Sequence, residues 1–168
     1  MMLLSFVLLA LTGMPQTVAD VTLPPANAHV KITAVGLGVQ VYGCLPQPGV
    51  TPVKYAWTLQ MPEATLFDPT THQPVGTHAV GPTWTWSDGS EITGKVVQTQ
   101  PAKDAANIPL VLVETHSTGA AGVLSDVTLV RRSDTQAGVP TTECDAVHQN
   151  NIARVPYQAT YTFYTTGK

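Results

Sequence analysis

Period-two alternation is the main pattern in this chain. In His29-Val-Lys-Ile-Thr-Ala-Val35, Val30, Ile32 and Ala34 share one face. In Gly38-Val-Gln-Val-Tyr42, Val39 and Val41 oppose Gln40 and Tyr42. Tyr55, Trp57 and Leu59 alternate with Lys54, Ala56 and Thr58, and near the end Tyr157, Ala159, Tyr161 and Phe163 alternate with Gln158, Thr160, Thr162 and Tyr164. Such patterning predicts half-buried strands with one side on a core. No window repeats apolar residues at helical spacing for three turns, and prolines punctuate the chain at short intervals, so at most one helical turn is expected, around Ala102–Asn107. Pro109 should start a strand or lie at an edge. Nine or ten strands with turn residues between them predict an all-β fold, a mostly antiparallel β-sandwich or barrel-like sandwich. Its long loops are expected at residues 44–53 and 132–156.

The first stretch breaks the pattern. Met1 to Leu11 is an apolar run interrupted only by Ser5, too short for a bilayer span of about 20 residues. Thr17-Val-Ala19 supplies small residues for a cleavage site, so residues 1–19 read as a secretory signal peptide and 20–168 as a single β domain. The n-region lacks Lys and Arg, and a second cut after Ala28 is disfavoured because it would fray the strand opening at His29. The protein is therefore expected to be secreted, extracellular or periplasmic, with no membrane anchor. Export changes the reading of the two cysteines: an oxidising compartment favours a Cys44–Cys144 bridge over two free buried thiols. Closing a loop of that size is valued at roughly 4–5 kcal/mol.

With 168 residues the chain can bury a core without a metal or many disulfides. Charged residues make up only 11%, and a net charge of −3 with eight Lys and Arg gives no footprint for nucleic acid.

The order of segments is itself informative. Gly38-Val-Gln-Val-Tyr-Gly-Cys44 leads to Trp57-Thr-Leu and Pro62-Glu-Ala-Thr-Leu-Phe-Asp68. Gly81-Pro-Thr-Trp-Thr-Trp-Ser-Asp-Gly-Ser90, Gly122-Val-Leu-Ser-Asp-Val-Thr, Gly138-Val-Pro140, Cys144 and Val155-Pro-Tyr157 follow. This arrangement resembles the DUF3455 family of secreted bacterial and fungal proteins, over roughly Leu23 to Tyr164. The resemblance implies an exported domain but no activity or catalytic residues. Some fungal members of that family carry a malate dehydrogenase label, which the residues here do not support. Gly36-Leu-Gly38 has Val41 where the third glycine of a nucleotide fingerprint belongs, and strand follows where that motif needs a helix.

Candidate chemistry concentrates between His78 and Ser90. Trp84 and Trp86, two apart, would present two indoles on one strand face, and with His78 and Asp88 they suit a sugar ring or an aromatic ligand. Asp88-Gly89 is equally a tight-turn sequence, and the tryptophans equally fit a core. With the valines of Gly38–Tyr42 on the core, Gln40 and Tyr42 would face a second sheet or a ligand cavity. The histidines at 29, 72, 78, 116 and 148 show no metal-ligand spacing, so no metal or other cofactor is expected, although strand pairing could gather His72, His78 and His116 with Glu63 or Asp88. Arg131 and Arg132 are expected to pair with Asp126 or Asp134.

Three functions follow. A non-catalytic domain would bind a small molecule or glycan through Gln40, Tyr42, His78, Trp84, Trp86 and Asp88. A small hydrolase or metal-dependent enzyme would use His78 with Asp88 or Glu63. A structural secreted protein would hold no ligand.

Overall fold

A computed structural model describes residues 19–167. The leader expected over residues 1–19 lies outside the described residues but for its last position. Eight strands follow one another: β1 (Ala28–Pro46), β2 (Tyr55–Phe67), β3 (Pro74–Ala79), β4 (Thr83–Trp86), β5 (Glu91–Gln100), β6 (Leu110–Ser117), β7 (Leu129–Ala137) and β8 (Ile152–Thr166). Each pairs antiparallel with the next, and β8 pairs with β1 to close the ring. The all-β, antiparallel expectation holds, with two corrections: the sheet is one closed barrel, and it has eight strands instead of nine or ten.

Two glycines account for part of the miscount. His29–Val35 and Gly38–Tyr42 read as separate stretches but form one 19-residue strand, β1. Gly36 and Gly38 are sites of close approach within it: a Cβ on Gly36 would stand 2.5 Å from the Tyr161 ring, and one on Gly38 would stand 2.0 Å from the Glu63 carbonyl oxygen. The parity of β1 also corrects the sidedness expected there. Ala34, Gln40 and Tyr42 face the interior with the buried Tyr157 and Tyr161 of β8, so Val39 and Val41 take the other face of the strand, where Val41 is nevertheless buried.

The inward row Tyr157, Ala159, Tyr161 and Phe163 of β8 is fully buried, whereas Gln158, Thr160 and Thr162 lie outside. An apolar interior under a polar outer row is the reverse of a lipid-facing barrel. Much of the interior is filled: Trp84, Trp86, Leu66, Ile92, Leu124, Val130 and Phe163 belong to one buried cluster that also reaches Val111, Val113 and Tyr161.

The segment between β7 and β8, residues 138–151, lies over the opposite end. Tyr42 donates its hydroxyl to the Gly138 carbonyl oxygen at 2.9 Å, and Val139 packs on the core. The Cys44–Cys144 disulfide ties the segment to β1, joined by Cys44 N–H to Asn151 O and Asn150 N–H to Cys44 O. This loop and the one at 47–54 are shorter than expected because β1, β7 and β8 run further into them. Ala102–Asn107 forms turns without a helix, and Pro109 sits immediately before β6.

Candidate functional site

The barrel wall has a gap, and its cause is strand length. β3 and β4 have six and four residues, between neighbours of 13 and ten. β3 therefore covers only Ala64–Phe67 of β2, and β4 covers only Glu91–Thr93 of β5. Tyr55–Glu63 and Lys95–Gln100 face each other with no strand between them. Below the short hairpin, this gap opens into a cavity of about 330 Å³ in the unfilled part of the barrel. Leu59, Met61 and Val96 are partly exposed around it, and Val111 and Val113 form its apolar back.

Polar groups gather on the remaining wall: Gln40 from β1, His78 from β3, Trp84 from β4, Arg132 from β7 and Tyr161 from β8. Gln40 is 1% exposed, and neither its amide nitrogen nor its amide oxygen has a partner among the described residues. Trp84 Nε1 is likewise buried without an acceptor. Leaving such groups unmet costs about 1–3 kcal/mol each, so a bare apolar core would not keep them.

His78 has a defined tautomer. Its Nδ1 lies 2.9 Å from the Thr83 carbonyl oxygen, to which it must donate, leaving Nε2 as the acceptor of a neutral ring. Burial pushes its pKa down to about 4; the Thr83 carbonyl opposes this and the Arg132 charge assists it. Tyr161 is also held neutral: burial raises its pKa, against the influence of Arg132, and its hydroxyl lies 3.0 Å from that of Tyr157. Tyr157 is raised by burial first, then by Tyr161.

Of the residues expected to bind ligand, the fold brings Gln40, His78 and Trp84 to one cavity. Tyr42 is buried beside the capping loop, its hydroxyl committed to Gly138. Trp86 packs edge-on to Phe163 at 5.9 Å inside the core. Asp88 is a turn residue: Oδ1 accepts from the Ser90 N–H and hydroxyl, and Oδ2 accepts from the Val123 N–H. Those bonds, led by the Ser90 hydroxyl, hold its carboxyl below the usual range. Glu63 is exposed and takes both terminal nitrogens of Arg154, which lowers its pKa. His78 therefore has neither carboxylate beside it, and no three His, Cys, Asp or Glu side chains gather to hold a metal among the described residues.

Arg132 is the cavity residue that sequence reading missed. Arg131 pairs with Asp20 at 2.5 Å and Asp126 pairs with Lys31, so the pairings expected for the two arginines do not form. Arg132 stands in register with Val111 and Tyr161, both inward, and its Nε and Nη2 donate to the Pro109 carbonyl oxygen at 3.1 and 2.8 Å. Its shared parity with Val130 was the available signal.

Fold and site together define a closed eight-stranded β-barrel with a small interior cavity entered through its side. The chain belongs to the family described as a protein of unknown function (DUF3455), which matches residues 24–165. No curated protein and no solved structure matches it.

Proposed function

We propose that this protein is a non-catalytic binding protein that holds one small, mainly apolar molecule inside the barrel. The observation that carries this reading is Gln40, a buried amide with both polar atoms unmatched on the wall of a cavity whose back is apolar. A ligand with one polar head and an apolar body would meet the amide and cover Val111 and Val113. The volume of about 330 Å³ falls at the small end of ligand pockets. A glycan fits less well, because Trp84 and Trp86 are 1% and 8% exposed and offer no open ring platform. Export is part of the proposal, since a bridge such as Cys44–Cys144 persists in oxidising compartments.

The test is a thermal-shift titration of the oxidised protein with small amphiphiles whose bodies span about six to ten carbons. A native-state binder must raise Tm through mass action. A rise that is lost when Val96→Trp fills the portal supports the reading. A flat response across the set, with unchanged tryptophan emission, overturns it.

A further inference from the structure

The cavity wall carries a charge that the protein does not balance. Arg132 is the charged side chain on its lining; no Asp or Glu contributes to it. This is notable in a chain whose net charge is −3. The acidic group nearest in sequence, Asp134, accepts from the Ser133 hydroxyl, and Asp20, Glu63 and Asp126 are paired with Arg131, Arg154 and Lys31. Arg132 donates Nε and Nη2 to the Pro109 carbonyl oxygen and lies against the Tyr161 hydroxyl, but no carboxylate meets it among the described residues. A half-exposed guanidinium on an apolar wall is better satisfied by an anion than by a neutral group.

The hydrogen-bonding inventory points the same way. Unmatched buried groups are two donors, Gln40 Nε2 and Trp84 Nε1, and one acceptor, Gln40 Oε1, so donors outnumber acceptors on this wall. An ionised carboxylate accepts only, at two oxygens, and pairs best with arginine's planar fork. A neutral alcohol or amide would leave the charge uncompensated. The apolar face opposite (Leu59, Met61, Val96, Val111, Val113) needs a hydrocarbon body, which excludes inorganic anions and dicarboxylates with charge at both ends.

Resting on the cavity-binding reading above, we propose that the ligand is a small monocarboxylate with an apolar body, its carboxylate compensating Arg132 and its hydrocarbon seated on Val111 and Val113. Arg132 is then the specificity residue, choosing the acid over its neutral isosteres, while Gln40 and Trp84 supply donors to the same head group.

The experiment compares octanoate with octanamide by isothermal titration calorimetry, on wild-type protein and on Arg132→Gln. Wild type binds the acid about tenfold tighter or better, the scale of a hydrogen bond to a charged group. Arg132→Gln brings that ratio close to one, the loss falling mainly on octanoate. If Arg132→Gln does not fold, Arg132→Lys carries the comparison: it keeps the charge and a reduced preference for the acid. Equal binding of acid and amide by wild type overturns the carboxylate assignment and leaves cavity binding standing. Failure of both compounds to bind wild type overturns both readings for ligands of this size.

Discussion

His78 and Trp84 stack face to face across the β3–β4 hairpin, their ring centroids 4.6 Å apart and their planes within 8° of parallel. They are register partners on neighbouring strands, so the contact follows directly from the pairing of the two shortest strands in the barrel. Tyr161 closes on the pair from across the barrel, 5.1 Å from the imidazole and 6.0 Å from the indole. The cluster forms the floor beneath the gap that the short hairpin leaves. One feature, hairpin length, thus both creates the cavity and supplies part of its wall.

The neutrality of His78 predicts a specific pH dependence. Its folded pKa is lowered from 6.5 to about 4, so between those values the unfolded chain binds more protons than the folded one. Stability is fully present above about pH 6.5 and falls progressively toward pH 4, by roughly 3 kcal/mol in all. The lowered carboxylates, Asp20 and Asp126 among them, lose their contributions at still lower pH, as each is protonated. Urea denaturation at a series of pH values should show the slope, and His78→Phe should flatten it. An unchanged slope in His78→Phe would assign the loss to other groups.

Gln40 separates stability from function. Gln40→Leu replaces an unmatched buried amide with an apolar group of similar size, which should raise stability by about 1–2 kcal/mol. The same change should weaken binding of an octanoate-type ligand about tenfold, by removing a head-group donor. Paired denaturation and calorimetry measure both quantities on one sample. A destabilised variant would mean that the amide is satisfied by ordered water; unchanged affinity would remove Gln40 from the site.

The legible features of this chain were local, and the missed ones were set by register. The alternation from Tyr157 to Phe163 identified an inward row because each residue's neighbours in sequence state its face. Asp88-Gly89 read as a turn for a similar reason: its side-chain bonds reach Ser90, two residues away. Gln40 was picked out by parity within its strand, but the absolute side was reversed, because that depends on β1 meeting β8 more than 100 residues later. The gap between β2 and β5 follows from the lengths of β3 and β4 relative to partners outside the hairpin, which no local pattern encodes. Arg132 was hidden by Arg131, since two adjacent arginines must point to opposite faces and composition does not say which turns inward.

The disulfide should be worth more than its position near a strand end suggests. Cys44 is completely buried, and the bridge spans 100 residues, joining β1 to the loop that caps the cavity end of the barrel. Reduction frees a long loop in the unfolded chain and should cost about 4–5 kcal/mol in guanidinium denaturation. Cys44→Ala combined with Cys144→Ala should give a similar loss. A loss below about 1 kcal/mol would mean that the Asn150 and Asn151 backbone bonds to Cys44 hold the cap by themselves.

Access through the wall gap gives the last prediction. Val96 lines the cavity yet is 42% exposed, so a larger side chain there extends into the opening without overfilling the core. Val96→Trp should change stability by no more than about 0.5 kcal/mol, as surface substitutions usually do. It should nevertheless slow ligand association about tenfold or block it, because the route between β2 and β5 is narrowed. Val147→Trp, at a site 86% exposed outside the cavity lining, should leave the rate unchanged and serves as the control. Stopped-flow tryptophan fluorescence during mixing with octanoate measures the rates. Equal association rates in Val96→Trp and wild type would show that the ligand enters elsewhere, and the capped end at residues 138–151 would become the route to test.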